Sequence, residues 1–215
     1  YIGIPAAVQG TMYSLSNIII QAAVNEFGTT VVAAWTAIGK FDGVYWVTSN
    51  SFGAAICTFV GQCFGAGKYE RMKEGVKKWL GVTLGTSVVL SSLLLGLGKW
   101  GLLLFTAEQP VIEEAMRMLW YFVPFYFLWS FIEILSNTLR GAGDAVAPTI
   151  ICLLGVCLLR VVWIWAVVPR YHTVLAVSMS YPITWFVTAL VFVIYYSKSN
   201  WLARCMGHAQ QGGEL

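Results

Sequence analysis

Apolar residues run along this chain in six long stretches: Ile2 to Ala23, Val31 to Phe64, Val76 to Gly98, Ile112 to Asn137, Val146 to Val168 and Val174 to Ser197. Short clusters of glycine, proline and charge separate them. Uncharged runs such as Trp79 to Gly98 and Thr173 to Ser197 reach the ~20 residues that a helix needs to cross a bilayer. A barrel would need alternating strands of about ten residues, and an open sheet would leave edge groups unpaired in lipid. The pattern predicts an all-α integral membrane protein of six transmembrane helices, each antiparallel to the next because the connections are short. The second stretch, at 34 residues, exceeds what the hydrocarbon requires. Tilt with projection into the cytoplasm is expected there in preference to a break near Gly39 and Gly43. Pro124, between Tyr121 and Phe127, predicts a kink, because its ring removes a backbone donor.

Composition agrees with a membrane setting: 58% of the 215 residues are hydrophobic and only 11% charged, against about 25% charged in a soluble domain. A net charge of +3 scattered through short loops argues against nucleic acid as a partner. The basic residues instead mark sides. Lys68, Arg71, Lys73, Lys77, Lys78, Arg140, Lys198 and Arg204 put eight on one side, and Lys99, Arg117 and Arg170 put three on the other. By the positive-inside rule the first side is cytoplasmic, so residues 1–200 read as one transmembrane lobe and 201–215 as a short cytoplasmic tail of a multi-pass cell-membrane protein. The chain opens inside an apolar stretch with no basic region or cleavage site ahead, so that stretch is not a signal peptide. Tyr1 to Asn25 is already of spanning length, and the chain reads as a fragment with sequence upstream. Cys57, Cys63, Cys152, Cys157 and Cys205 lie in apolar runs or the tail and read as reduced thiols without metal-ligand spacing.

Four ionisable residues fall at membrane depth: Lys40, Asp42, Glu133 and Arg160. Burying such a group costs at least ~2.5 kcal/mol on insertion scales, so each is expected to face a polar cavity or a partner. Lys40 and Asp42, two apart, point to different helix faces. Glu133 lies seven residues from Arg140, about 10 Å along a helix, and an ion pair to Arg160 across adjacent helices is expected. Gln9, Tyr13, Ser16, Asn17 and Gln21 form a polar stripe at spacings of three and four, which lines an aqueous cavity or glues helices together. The aromatic run from Trp120 to Trp129 reads as lipid-facing bulk and interfacial belt. No nucleophile–base pair or catalytic motif points to an enzyme.

Two further stretches are more specific. One reads Gly61-Gln62-Cys63-Phe64-Gly65-Ala66-Gly67 and is followed by a basic segment; the other reads Leu139-Arg140-Gly141-Ala142-Gly143-Asp144 and is followed by Pro148. With the opening Ile2-Gly3-Ile4-Pro5, Asn25, Gly28 and Lys40, they resemble the C-terminal half of the multidrug and toxic compound extrusion (MATE) family. The resemblance covers nearly the whole chain. It implies one six-helix lobe of a twelve-helix transporter whose partner is the N-terminal lobe of the same polypeptide. Such a protein exports small organic, often cationic compounds from the bilayer-spanning cavity in exchange for Na⁺ or H⁺, with no other cofactor. In that family an ion site in this lobe implies acids on its first and fourth helices. Here the first carries Gln9, Asn17 and Gln21, and the fourth carries Glu133. The alternatives are a lipid-linked oligosaccharide flippase of the same superfamily, or a non-transporting membrane scaffold.

Overall fold

The computed structural model describes residues 3–212 along the backbone and 7–207 with their side chains; Tyr1, Ile2 and residues 213–215 lie outside the described residues. The chain forms helices α1 (Gly3–Asn25), α2 (Thr29–Phe41), α3 (Gly43–Gly65), α4 (Tyr69–Gly96), the short α5 (Gly98–Leu102) and α6 (Gln109–Phe122), followed by α7 (Tyr126–Gly141), α8 (Val146–Cys152), α9 (Leu159–Tyr171), α10 (Val174–Lys198) and α11 (Trp201–Gly212). No strand occurs among the described residues. Among the described residues four helical segments are long and apolar enough to cross a membrane: Tyr69–Gly96, Gln109–Gly141, Val146–Tyr171 and Val174–Lys198. In α1 and α3 the polar residues Gln9, Tyr13, Asn17, Ser49, Asn50, Ser51 and Gln62 dilute the apolar content.

Helix α7 is the hub. It packs on α3, α4 and α10, with α8 at its end, while α1 lies against α2, α8 and α9. Between α3, α4 and α7 the contact is made by small hydroxyl residues: Ser49, Thr83, Ser87, Ser91 and Ser130 are all buried. Small side chains let helices approach closely where lipid offers no hydrophobic drive to associate. Tyr45 crosses this layer, its hydroxyl donating to the Tyr126 carbonyl at 2.8 Å and lying 3.1 Å from Ser87 Oγ. Outside, Trp100, Leu104 and Trp165 are among the most exposed apolar side chains, as expected of a surface that lipid covers.

Three helices are interrupted. Proline works as expected: Val123–Phe125 form a 3-10 turn between α6 and α7. The second apolar stretch breaks at Asp42 between α2 and α3, whereas tilt and projection were expected. The reason is local. Asp42 has ψ −3°, its carbonyl accepts from Tyr45 at 2.8 Å in a tight three-residue turn, and its side chain is engaged elsewhere. Leu153–Leu158 between α8 and α9 form a π-helical segment, for which the sequence offers no proline or polar signal. Such a segment inserts an extra residue and rotates everything beyond it by about 100°.

The two glycine motifs build the same turn twice. Lys68 N donates to the Cys63 carbonyl and Gly67 N to Phe64; Asp144 N donates to Leu139 and Gly143 N to Arg140. Gly67 and Gly143 have φ of +68° and +97°, where a side chain would be strained, and this is the glycine-closed helix end. The end of α7 packs closely on α3 because Gly141 has no Cβ: one placed there would sit 2.5 Å from the Cys57 carbonyl oxygen and 3.0 Å from Val60. Asp144 then caps α8 through Ala147 N at 3.1 Å and accepts from the Tyr195 hydroxyl, which accepts from Arg204 of α11; both of the latter contacts are 3.0 Å long. Trp201 and Cys205 are buried, so residues 201–212, expected as a tail, form a helix docked on the end of the bundle. The predicted outcome for Gly141→Ala is a loss of about 1–3 kcal/mol from overpacking. Thermal unfolding should show it against Gly81→Ala, where nothing lies within 4 Å of the added carbon and stability should not fall.

Candidate functional site: two polar cavities beside helix α7

The polar stripe of α1 faces inward. Gln9, Tyr13 and Asn17 line a cavity of ≈ 480 Å³ together with Trp46, Asn50, Trp129, Glu133, Ser136 and Arg140. Gln9 is buried; its side-chain oxygen accepts from the Arg140 guanidinium and lies 3.5 Å from the Thr149 hydroxyl. This ties α1 to the α7–α8 turn. Ser16 is buried without a side-chain partner, and Gln21 bonds Asn25 at 3.0 Å one turn on and lines neither cavity.

Glu133 sits on the cavity face of α7. Its Oε1 accepts from Asn137 Nδ2 at 2.9 Å, and the same amide donates to the Glu133 carbonyl. Room for the carboxylate comes from α3: a Cβ on Gly53 would collide with Glu133 Oε1 and come within 2.7 Å of Asn137. The partner expected for Glu133 was Arg160, and the structure does not join them. Arg160 is buried with its guanidinium 4.0 Å from the centroid of the Tyr181 ring, and it donates to Thr184 Oγ1 at 3.3 Å. The physical reason is the π-helical segment, which lies just before Arg160 and turns it toward α10 and away from α7. The basic group beside Glu133 is Arg140, which lines the same cavity.

A second cavity of ≈ 280 Å³ adjoins the first, sharing Asn17 and Trp46, and is walled by Trp35, Phe122, Tyr126, Tyr181 and Trp185 around Asp42. Asp42 is 5% exposed. Its Oδ2 accepts from the Tyr126 hydroxyl at 2.6 Å and from Trp46 Nε1 at 3.0 Å; its Oδ1 is buried with no donor. The carboxylate thus binds the break between α2 and α3 to the first residue of α7. Lys40, two residues before, is exposed on another face and borders an apolar groove with Val44, Leu93 and Leu104. The opposite facing of this pair was expected; the structure brings Asp42 into the cavities and leaves Lys40 outside them.

The aromatic run on α6 and α7 divides in a way its composition conceals. Trp120, Phe125 and Phe127 are exposed, but Phe122 and Tyr126 are buried, and with Trp129 they wall the cavities. The spacing 122, 126, 129 is that of one helix face and was the available signal for a cavity wall. Trp35, Trp46, Tyr181 and Trp185 lie on α2, α3 and α10, far along the chain from that run, and only the fold gathers them at the cavity. No group of three His, Cys, Asp or Glu residues that could hold a metal ion occurs among the described residues.

Comparisons with known proteins match this architecture. The MatE family model matches residues 5–166. A probable multidrug resistance protein of Bacillus subtilis (strain 168), YoeA, is 28% identical over 200 residues, covering 91% of this chain and 42% of that protein. A second from the same organism, YpnP, is 23% identical, covering 74% and 36%. Among solved structures, one described as an outward-facing conformation of a multidrug resistance MATE family transporter of the MOP superfamily superimposes with a TM-score of 0.81 at 19% identity, covering 92% of this chain and 44% of that one. A MATE structure in a bent conformation gives 0.82 at 16% identity, covering 99% and 46%. The chain thus spans less than half the length of the relatives it matches. With a family model covering most of its length and a fold shared with solved members, the chain belongs to the MatE family of membrane transporters.

Proposed function

We propose that this chain is one lobe of a secondary active efflux transporter, which exports organic, often cationic compounds in exchange for Na⁺ or H⁺ by alternating access. Six passes make up the lobe, and a second lobe of the same polypeptide faces it across the membrane. The carrying observation is the larger cavity. It sets one carboxylate, Glu133, at membrane depth among Gln9, Tyr13, Asn17 and Asn50, groups that lipid would not tolerate. Helix interruptions border both cavities, as alternating-access proteins use them, since broken helices let one bundle rock while backbone polar groups line a cavity.

Glu133 is the ion-responsive residue in this reading. Its carboxylate has a single side-chain donor, Asn137, which leaves oxygen lone pairs for a proton or a cation. In the full-length protein, Glu133→Gln keeps the shape and removes the exchangeable charge, so gradient-driven efflux from proteoliposomes should drop at least about tenfold with expression unchanged. Unchanged efflux, with unchanged dependence on pH and Na⁺, would reduce Glu133 to a packing role.

The basic asymmetry supports reading the Gly65 to Lys77 connection and α11 as cytoplasmic. Lys73, half-exposed and paired with Glu70 at 2.9 Å, is a mild site for a probe. Lys73→Cys should be labelled by an impermeant maleimide only after the cells are opened; labelling of intact cells would reverse the orientation.

A further inference from the structure

Between α3 and α4, at the basic end of the lobe, lies a cavity of ≈ 290 Å³ lined by Phe59, Arg71, Glu74, Gly75, Lys78 and Trp79. Its floor is the Phe59 ring, which rests against α4 because Gly75 carries no side chain; a Cβ there would collide with the ring. Arg71, Gly75 and Lys78 follow at spacings of four and three, so they share one face of α4. Both cations are exposed. The ion pairs among the described residues are Lys73 with Glu70 and Arg117 with Glu114, and Arg71, Glu74 and Lys78 enter neither. The cavity also opens away from the polar interior. Phe59 is nine residues from Asn50, which is two and a half turns and so the opposite side of α3, and Asn50 lines the Glu133 cavity.

The depth of this cavity follows from the sequence. Trp79 opens the uncharged run to Gly98, which is long enough to cross the hydrocarbon, and tryptophan is a residue of the membrane interface. Arg71 lies eight residues before it, about 12 Å to the water side. Lys78 adjoins Trp79, and its Cβ tilts toward the start of the helix, so its stem carries the ammonium back toward Arg71. Both charges therefore reach head-group level. On the other side of Trp79 the same face of α4 becomes apolar: Val82 is 54% and Val89 58% exposed. Cations at phosphate level followed by a bare apolar track repeat, along one helix face, the order of groups in a phospholipid.

We infer that this groove binds a phospholipid with one anionic phosphodiester and an uncharged, hydroxyl-bearing head, of the phosphatidylglycerol kind. Arg71 and Lys78 hold the phosphate, the first as a planar fork and the second as a point charge. Glu74 accepts from the head-group hydroxyls, and Val82 and Val89 carry an acyl chain. Two cations and one carboxylate leave the lining with one positive charge, which one phosphodiester neutralises. A zwitterionic head would instead bring a further cation to a wall that already has two. A soluble anion would have no use for the aromatic floor or the apolar track. The groove is separate from both polar cavities, and the inference does not rest on the efflux reading.

The test is native mass spectrometry of the purified full-length protein in detergent, titrated with dioctanoyl phosphatidylglycerol, phosphatidylcholine or phosphatidylethanolamine. The first phosphatidylglycerol should bind at least about fivefold more tightly than the first phosphatidylcholine. The pair Arg71→Gln and Lys78→Gln should together weaken it at least about tenfold, at about fivefold for each charge removed, whereas Lys73→Gln, which removes a charge on another face of α4, should leave it unchanged. Val82→Gln keeps both cations and should also weaken the lipid. Glu74→Gln retains an acceptor and should bind it no less tightly. Every substituted residue is exposed, and thermal unfolding without lipid should match the parent. Equal binding of phosphatidylglycerol and phosphatidylcholine would overturn the inference, as would undiminished binding by the Arg71 and Lys78 double variant or an equal loss in Lys73→Gln. Displacement by inorganic phosphate, with Val82→Gln unaffected, would make the groove a site for a soluble anion and overturn it too. Tighter binding of phosphatidylethanolamine, lost in Glu74→Gln, would assign the groove to a zwitterionic lipid and contradict the proposed ligand.

Discussion

Hydrocarbon offers no water to a polar group, so each one carried to membrane depth must find a partner within the protein or face a cavity. Most of this lobe is arranged around that requirement. Gln9 is held by Arg140, Tyr45 by Ser87 and a carbonyl of α7, Glu133 by Asn137, Arg160 by Thr184 and the face of Tyr181. Two of these contacts, from Gln9 and from Tyr45, tie α1 and α3 to α7, and that of Arg160 ties α9 to α10. Asp42 Oδ1 is an exception, buried without a donor.

Asp42 and Tyr126 are the junction of this scheme. Each stands at an interruption, Asp42 between α2 and α3 and Tyr126 where the 3-10 turn at Pro124 passes into α7. Their side chains meet at 2.6 Å, and Tyr45, one turn beyond Asp42, reaches the Tyr126 carbonyl. An interruption frees backbone groups and lets a helix bend; two interruptions bonded to each other can bend only together. The same contact holds the carboxylate at the wall of a cavity, so the geometry of the break and the chemistry of the cavity are set by one hydrogen bond.

The sequence was informative where physics is local. Long apolar runs, the Pro124 kink, the inward stripe from Gln9 to Asn17 and the glycine turns follow from residue type and spacing, and the turns were also the clearest family signature. It was silent where the outcome depends on partners far along the chain. Gly39 and Gly43 beside Asp42 allowed a break as well as a tilt, and what decides for the break, Tyr126 above all, lies some 84 positions away. The π-helical segment has ordinary apolar residues and turns Arg160 away from Glu133, which undid an ion pair that spacing alone allowed. The aromatic residues misled in a different way. As a block on α6 and α7 they resemble a lipid-facing belt, and only their periodicity separates Phe122, Tyr126 and Trp129 from their outward neighbours.

The direct test of the coupling between interruptions is a double-mutant cycle of Asp42→Ala and Tyr126→Phe, with unfolding free energy measured for the full-length protein in detergent. Contacting groups in one network show interaction energies of about 0.5–3 kcal/mol. The buried, charge-assisted Asp42–Tyr126 contact should give at least about 1 kcal/mol in this cycle. Additive effects, with an interaction energy near zero, would mean that the two helix breaks are held independently and would contradict the account.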